Sequence, residues 1–268
     1  MKLLYKDRIL VLLKNLLSPN LYWRLLAWKV GNEEPEIQLL PYLCDKHRVS
    51  LDVGASGGSY AVHLAGLSRS CVAFEPIPKA ALWLKKKLVY PDNLKLQVEM
   101  VAISDRSGTA ELKIPASDAG RSTLSTTNPV EDLGPVDIVP VRTQTLDNYH
   151  FDNPVGLIKI DVEGHEEAVL SGARALLERD HPALIIESEE RHSPGAVKRI
   201  TAFLGECGYS GYFLQNLILV SIDTFQEEVH QCVTNLKPDT GRHAKYINNF
   251  VFLTETHLEK VRSFLVTA

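Results

Sequence analysis

The chain has 268 residues, 45% of them hydrophobic, enough to bury a substantial core in one large domain or two small ones. Its 29 Lys and Arg stand against 33 Asp and Glu, a formal net charge of −4, so nucleic-acid binding by bulk electrostatics is not expected. Cys44, Cys71, Cys207 and Cys232 are widely scattered, with no CxxC pair or zinc-like spacing, and read as free thiols of a reducing, cytoplasmic compartment.

The first 31 residues mix apolar side chains with charges at Asp7, Arg8, Lys14 and Arg24. Their longest uncharged run falls far short of a membrane span, and no signal-peptide cleavage pattern follows. Six basic residues and one Asp give this segment +5, leaving −9 on the remainder. Two readings stand: a helical cap packed on the domain's own core, and a basic amphipathic helix on an anionic membrane or a partner. The second makes the protein membrane-peripheral. With the short helical stretch EPEIQLLPYLCDKH added, residues 1–48 read as an N-terminal helical extension, and 49–268 as one domain.

Within that domain, RVSLDVG, CVAFEP and LKLQVEMVAIS read as strands, with helices over SYAVHLAGLS and KAALWLKKKLVY between them. This alternation predicts βαβ units and a mainly parallel sheet. Residues 104–148 depart from it, with two hairpin-like strands flanking a Ser/Thr-rich loop. A long polar loop in a compact domain favours a functional role. The alternation resumes with VGLIKID, HEEAVLSGARALLER, ALIIESE and PGAVKRITAFLGECG. YSGYFLQNLILVSI and YINNFVFL predict an antiparallel finish, and THLEKVRSFL a closing helix.

The first strand-to-helix junction, VSLDVGASGGSY, carries Asp52, Gly54 and Gly58. Glycine there permits a tight turn and close backbone approach to a ligand. A dinucleotide fold expects GxGxxG, but Ser56 occupies the place of the second glycine. Glu75 ends the second strand, where a carboxylate accepts from both ribose hydroxyls. Asp52 beside a cationic group and Glu75 on a ribose suit S-adenosylmethionine, which has no pyrophosphate. The plainer readings are a helix cap for Asp52 and an exposed strand end for Glu75.

From here the chain resembles the FkbM-type family of S-adenosylmethionine-dependent methyltransferases. LDVGASGGSY, from Leu51 to Tyr60, is similar to the family's DVGANxGxY segment, with Ser56 for the usual Asn. AFEP (Ala73 to Pro76), VAISD (Val101 to Asp105), STL (Ser122 to Leu124), IKIDVEGHEEAVLSGA (Ile158 to Ala173) and ALIIE ending at Glu187 follow in the family's order. The resemblance implies a Rossmann-like α/β fold, the seven-stranded class I methyltransferase sheet, mostly parallel, with extra N-terminal helices. It implies that Asp52, Gly54, Ala55, Ser56, Gly58 and Tyr60 surround the cofactor's amino-acid part. Glu75 and Pro76 then lie at the ribose, and Ala102 and Ile103 against the adenine.

Methyl transfer to a hydroxyl needs an aligned nucleophile and a base or metal to take its proton. Asp161, Glu163 and His165 follow the fourth strand, next to the expected methyl group. His165 is the first choice for base, because its ordinary pKa lies near neutrality; it also reads as a plain first-turn residue. Asp161 is placed at the substrate or at the cofactor's amino group, and Glu163 at His165 or the substrate. Glu166 and Glu167 are expected only to favour the helix start.

Asp161 with Glu187 is a less favoured Mg²⁺ pair, so no metal ligand is assigned. Arg121, Ser122 and Thr123 are expected at the rim of the acceptor pocket, with Glu187 also at the substrate. The acceptor is a small molecule or glycan: a sugar, glycolipid or secondary metabolite. A nicotinamide-dependent oxidoreductase, disfavoured by the glycine register, and a non-catalytic cofactor-binding module are the rival readings.

Overall fold

The computed structural model describes residues 34–88, 95–232, 234 and 246–264, so the basic segment 1–31 lies outside the described residues. Strands run in chain order as β1 (Val49–Val53), β2 (Ser70–Phe74), β3 (Leu96–Glu99), β4 (Ala102–Ile103), β5 (Gly108–Pro115) and β6 (Val136–Gln144). After them come β7 (Val155–Ile160), β8 (Ala183–Glu187), β9 (Ser210–Gln215), β10 (Ile218–Ser221) and β11 (Asn249–Leu253). The helices are α1 (Leu40–Leu43), α2 (Ser59–Leu67), α3 (Pro78–Leu88), α4 (Glu166–Ser171) and α5 (Arg174–Asp180). They continue with α6 (Ala196–Glu206), α7 (Glu227–His230) and α8 (Glu255–Lys260).

The main sheet has the order β10-β9-β11-β8-β7-β1-β2-β3. Its neighbours are parallel from β8 to β3, and β11 runs antiparallel between β8 and β9. These are the seven expected strands; the short β10 adds an eighth at the edge, because YSGYFLQNLILVSI folds back on itself. Asn216 and Leu217 form its two-residue turn with φ of 53° and 64°, the doubly left-handed backbone that matches hairpin twist.

Two other stretches read as single elements are divided. LKLQVEMVAIS breaks after Glu99, so that β3 joins the main sheet while β4 joins a separate three-stranded sheet, β4-β6-β5. HEEAVLSGARALLER breaks at Gly172 and Ala173 into α4 and α5. An added Cβ on Gly172 would lie 2.1 Å from the Ser104 carbonyl oxygen, so glycine lets the chain after β4 press against this break.

Every residue of β1, β7 and β8 is buried, which explains their nearly unbroken apolar runs: helices cover both faces. Val49, Leu51, Val53, Ile158 and Ile160 pack with α4, α5 and α6. Leu157, Ile185 and Val251 face the opposite way, toward α1, α2 and α3. The two-residue period puts Asp52 and Lys159 on that second face, side by side in register. Among the described residues no helix is long and apolar enough to cross a membrane.

Candidate active site

The carboxyl ends of β1, β2 and β7 open onto one cavity of about 440 Å³, where open α/β sheets hold ligands. Gly54, Ser56 and Gly57 form one wall, Glu75, Pro76 and Ile77 a second, and Val101, Ala102 and Ile103 an apolar third. Asp161, Val162 and His165 close the side beyond β7, and Leu112, Ala119, Gly120, Ser122 and Leu124 come from the small sheet and its loop.

The glycine-rich turn is pressed against the turn after β7. A Cβ on Gly54, at φ +84°, would stand 1.8 Å from the Asp161 carbonyl oxygen, so only glycine fits. Ser56 also has left-handed backbone, φ 43°, a conformation that Asn tolerates better than Ser. Four of the turn's amides are spent within the protein. Those of Gly54 and Ala55 donate to the Phe74 carbonyl, that of Ser56 to Glu75 Oε2 and that of Gly58 to the Ala55 carbonyl. A pyrophosphate cradle needs such donors free; this turn uses them to shape itself and to aim Glu75.

Glu75 is held by two amides, Ser56 to Oε2 and Ile77 to Oε1, each at 2.8 Å. Burial raises its pKa against those two bonds. Each oxygen keeps a lone pair for a hydroxyl. A positioned carboxylate, an apolar slot for a flat ring, and Gly57, where an added Cβ would meet no protein atom within 4 Å, fit a nucleoside with a short polar tail. S-adenosylmethionine has that form.

Asp52, Ala55, Gly58 and Tyr60 do not line the cavity; they lie behind the turn that does. Asp52 is 3% exposed and burial pushes its pKa up to about 7, with Lys159 acting the other way. Lys159, which the sequence reading passed over, is 1% exposed. Its Nζ lies 4.0 Å from Asp161 Oδ2 and 4.0 Å from Glu187 Oε2, 3.2 Å from Asn249 Oδ1, and 5.1 Å above the Tyr60 ring. Burial lowers the lysine's pKa, but Asp161, Glu187, Glu34 and Asp52 outweigh it and raise the pKa overall.

The ammonium therefore stands between the two carboxylates considered for Mg²⁺ and supplies their counter-charge. Glu187 also accepts from Asn248 Nδ2 and is not part of the cavity wall. The one sequence signal for Lys159 is a charge inside an apolar run, GLIKID.

Strand β7 ends at Ile160, so residues 161–165 form a turn, and their side chains do not follow strand alternation. Glu163 (φ 52°) and Gly164 (φ 93°) both have left-handed backbone. Thr123 Oγ1 and Asn128 Nδ2 donate to the Glu163 carbonyl at 2.7 and 2.8 Å, which ties the polar loop to the turn. The Glu163 carboxyl turns away from the cavity toward His192 Nδ1, 3.2 Å from its Oε2. Burial, with Asp161 and Glu189, pushes Glu163 up to about 8.

Arg121 Nη2 is 3.0 Å from His192 Nε2. Of the three residues expected at the acceptor rim, only Ser122 therefore faces the cavity; Arg121 and Thr123 hold the loop in place. Glu166 is buried rather than solvated, and its Oε1 accepts from the Gly164 amide. His165 lines the cavity, and its Nε2 is 2.9 Å from Ser104 Oγ. Burial lowers the His165 pKa, with Asp105 opposing, so the ring is neutral at neutral pH.

Residues 52–210 match the family model for the methyltransferase FkbM domain. Among solved structures, the chain is similar to a methyltransferase FkbM from Methylobacillus flagellatus, at 14% identity and a TM-score of 0.49 over 78% of this chain and 44% of that one. It therefore spans less than half the length of that protein. An O-methyltransferase from Bacillus cereus in complex with SAH matches at 15% identity and a TM-score of 0.42, over 88% of this chain and 80% of that one. An rRNA methylase from Streptococcus thermophilus matches at 13% identity and a TM-score of 0.43, over 82% and 93%. No curated protein matches in sequence.

Proposed function

The chain belongs to the FkbM methyltransferase family, and from that premise we propose that it methylates a hydroxyl of a small-molecule or glycan acceptor, with His165 taking the proton. S-adenosylmethionine, when bound, supplies an electrophilic methyl on a sulfonium. Glu75, aimed by the Ser56 and Ile77 amides, accepts from the ribose hydroxyls. Val101, Ala102 and Ile103 wall the adenine, and Asp161, with Lys159 beneath it, offers a carboxylate to the amino group.

The carrying observation is that the His165 imidazole and the Glu75 carboxylate, held by two backbone amides, line one cavity. A hydroxyl is a poor nucleophile until its proton has somewhere to go, and a neutral histidine provides that place. Because the His165 pKa lies below 6.5, the base form persists under mildly acidic conditions. The acid limb of the rate profile is therefore expected below pH 6.5. Ser56 in the place of the second glycine of GxGxxG favours this reading over a nicotinamide-dependent oxidoreductase.

The test is S-adenosylhomocysteine release over a panel of hydroxylated sugars, glycolipids and metabolites. His165→Ala should lower turnover by about 10²–10⁴-fold, while calorimetry finds donor affinity within about twofold of wild type. Near-wild-type turnover in that variant removes His165 from the mechanism.

A further inference from the structure

We infer that Ser104 and Asp105 fix His165 as the Nε2–H tautomer, so that Nδ1 is the ring nitrogen that receives the acceptor's proton. The inference rests on His165 being the base but concerns a separate property, its tautomer. Ser104 Oγ is 3.1 Å from Asp105 Oδ1 and 2.9 Å from His165 Nε2. A carboxylate can only accept, so the single hydroxyl proton of Ser104 goes to Asp105. The serine oxygen can then only accept from the imidazole, which places the ring proton on Nε2 and leaves the lone pair on Nδ1.

Ser104 is 5% exposed, so water does not compete freely for its hydroxyl. Its backbone is also held on both sides. The Ser104 amide donates to the Gln144 carbonyl, and its own carbonyl rests where only a glycine at 172 leaves room. Two separated stretches, VAISD and the SGA that ends the long signature, thus meet to set one histidine.

The proton balance is closed by the same arrangement. An oxygen lone pair of the acceptor would form the bond to the methyl carbon as the S–CH3 bond breaks and leaves its electrons on sulfur, while the O–H proton passes to Nδ1. The positive charge lost as the sulfonium becomes a thioether reappears on the imidazolium. Nε2–H then points its positive edge through Ser104 toward Asp105. Ser104, Asp105 and Gly172 are positioning residues.

The experiment is nitrogen-detected NMR of the full chain with labelled histidine, without donor or acceptor, at a pH where His165 is neutral. Wild type should show the Nε2–H tautomer. Asp105 is exposed, so Asp105→Ala should fold normally while freeing the Ser104 hydroxyl to donate to Nε2. The Nδ1–H share should then rise several-fold. Asp105→Asn keeps an acceptor oxygen and should restore the wild-type spectrum. A wild-type Nδ1–H tautomer, or an unchanged spectrum in Asp105→Ala, overturns the inference. Because no turnover is read, this result is independent of whether His165→Ala abolishes methyl transfer.

Discussion

His165 and His192 stand on opposite flanks of the turn that follows β7, and both are held neutral by burial. His192 lies at about 4, with Arg191 and Arg121 adding to the depression against Glu189. Their surroundings nevertheless assign them different work. The ring of His192 is used at both nitrogens, because Arg121 donates to Nε2 and Nδ1 faces Glu163. His165 binds a serine through one nitrogen and lines the cavity. The inner flank, with Glu163, Gly164 and Glu166, fastens the turn; the other flank, with Asp161, Val162 and His165, faces the cavity. Chemical capacity here depends on which lone pairs the fold leaves unspent, since residue type and charge are the same in both histidines.

The comparison predicts that changes below or behind the turn cost stability, and changes on the cavity side cost turnover. The largest stability effect should come from Lys159→Met, which leaves Asp161 and Glu187 without their buried cation. Breaking a buried pair costs about 3–5 kcal/mol, read as a lower denaturation midpoint in urea. His192→Ala strands Arg121 and Glu163, and should lose about 1–3 kcal/mol. Donor affinity measured on the folded fraction should stay within about twofold of wild type. A tenfold loss of donor affinity in that variant would erase the division between flanks.

A smaller effect tests the sign of a buried charge. Burial pushes Glu166 up to about 7 from 4.5, so its contribution is full below pH 4.5 and is lost as pH rises through 7. Glu166→Gln can still accept from the Gly164 amide but cannot ionise. Its melting temperature should therefore fall less than wild type's between pH 5 and pH 8. The smallest effect lies on the facing wall. Ser56→Asn should gain less than about 1 kcal/mol by relieving the left-handed backbone at φ 43°. Thermal unfolding should show it.

Strands β1, β2, β7 and β8 were legible because two-sided burial writes itself as apolar runs, and the strand-end acids and glycines were legible because turns demand them. The polar loop's hairpin was readable as well. Lys159 was not, since one lysine in an apolar run carries no mark of the four carboxylates that surround it. The same holds for Arg121 with His192 and for Ser104 with His165, partners separated by 71 and 61 positions. The break between β3 and β4 escaped for a related reason. Both halves have strand-like composition, and only the partner strand β6, some forty residues on, decides which sheet the second half joins.

The small sheet has a further consequence. Ala102, Leu112 and Val141 give it a hydrophobic cluster of its own, and it meets the turn after β7 through contacts such as the bonds to the Glu163 carbonyl. It lines the cavity through Ala102, Ile103 and Leu112, while Glu75 and the glycine turn follow strands of the main sheet. Under the proposed function, exchange of residues 116–122 is a route to a new acceptor that leaves β4, its partner β6 and the Glu75 turn in place, both for an engineer and for a lineage.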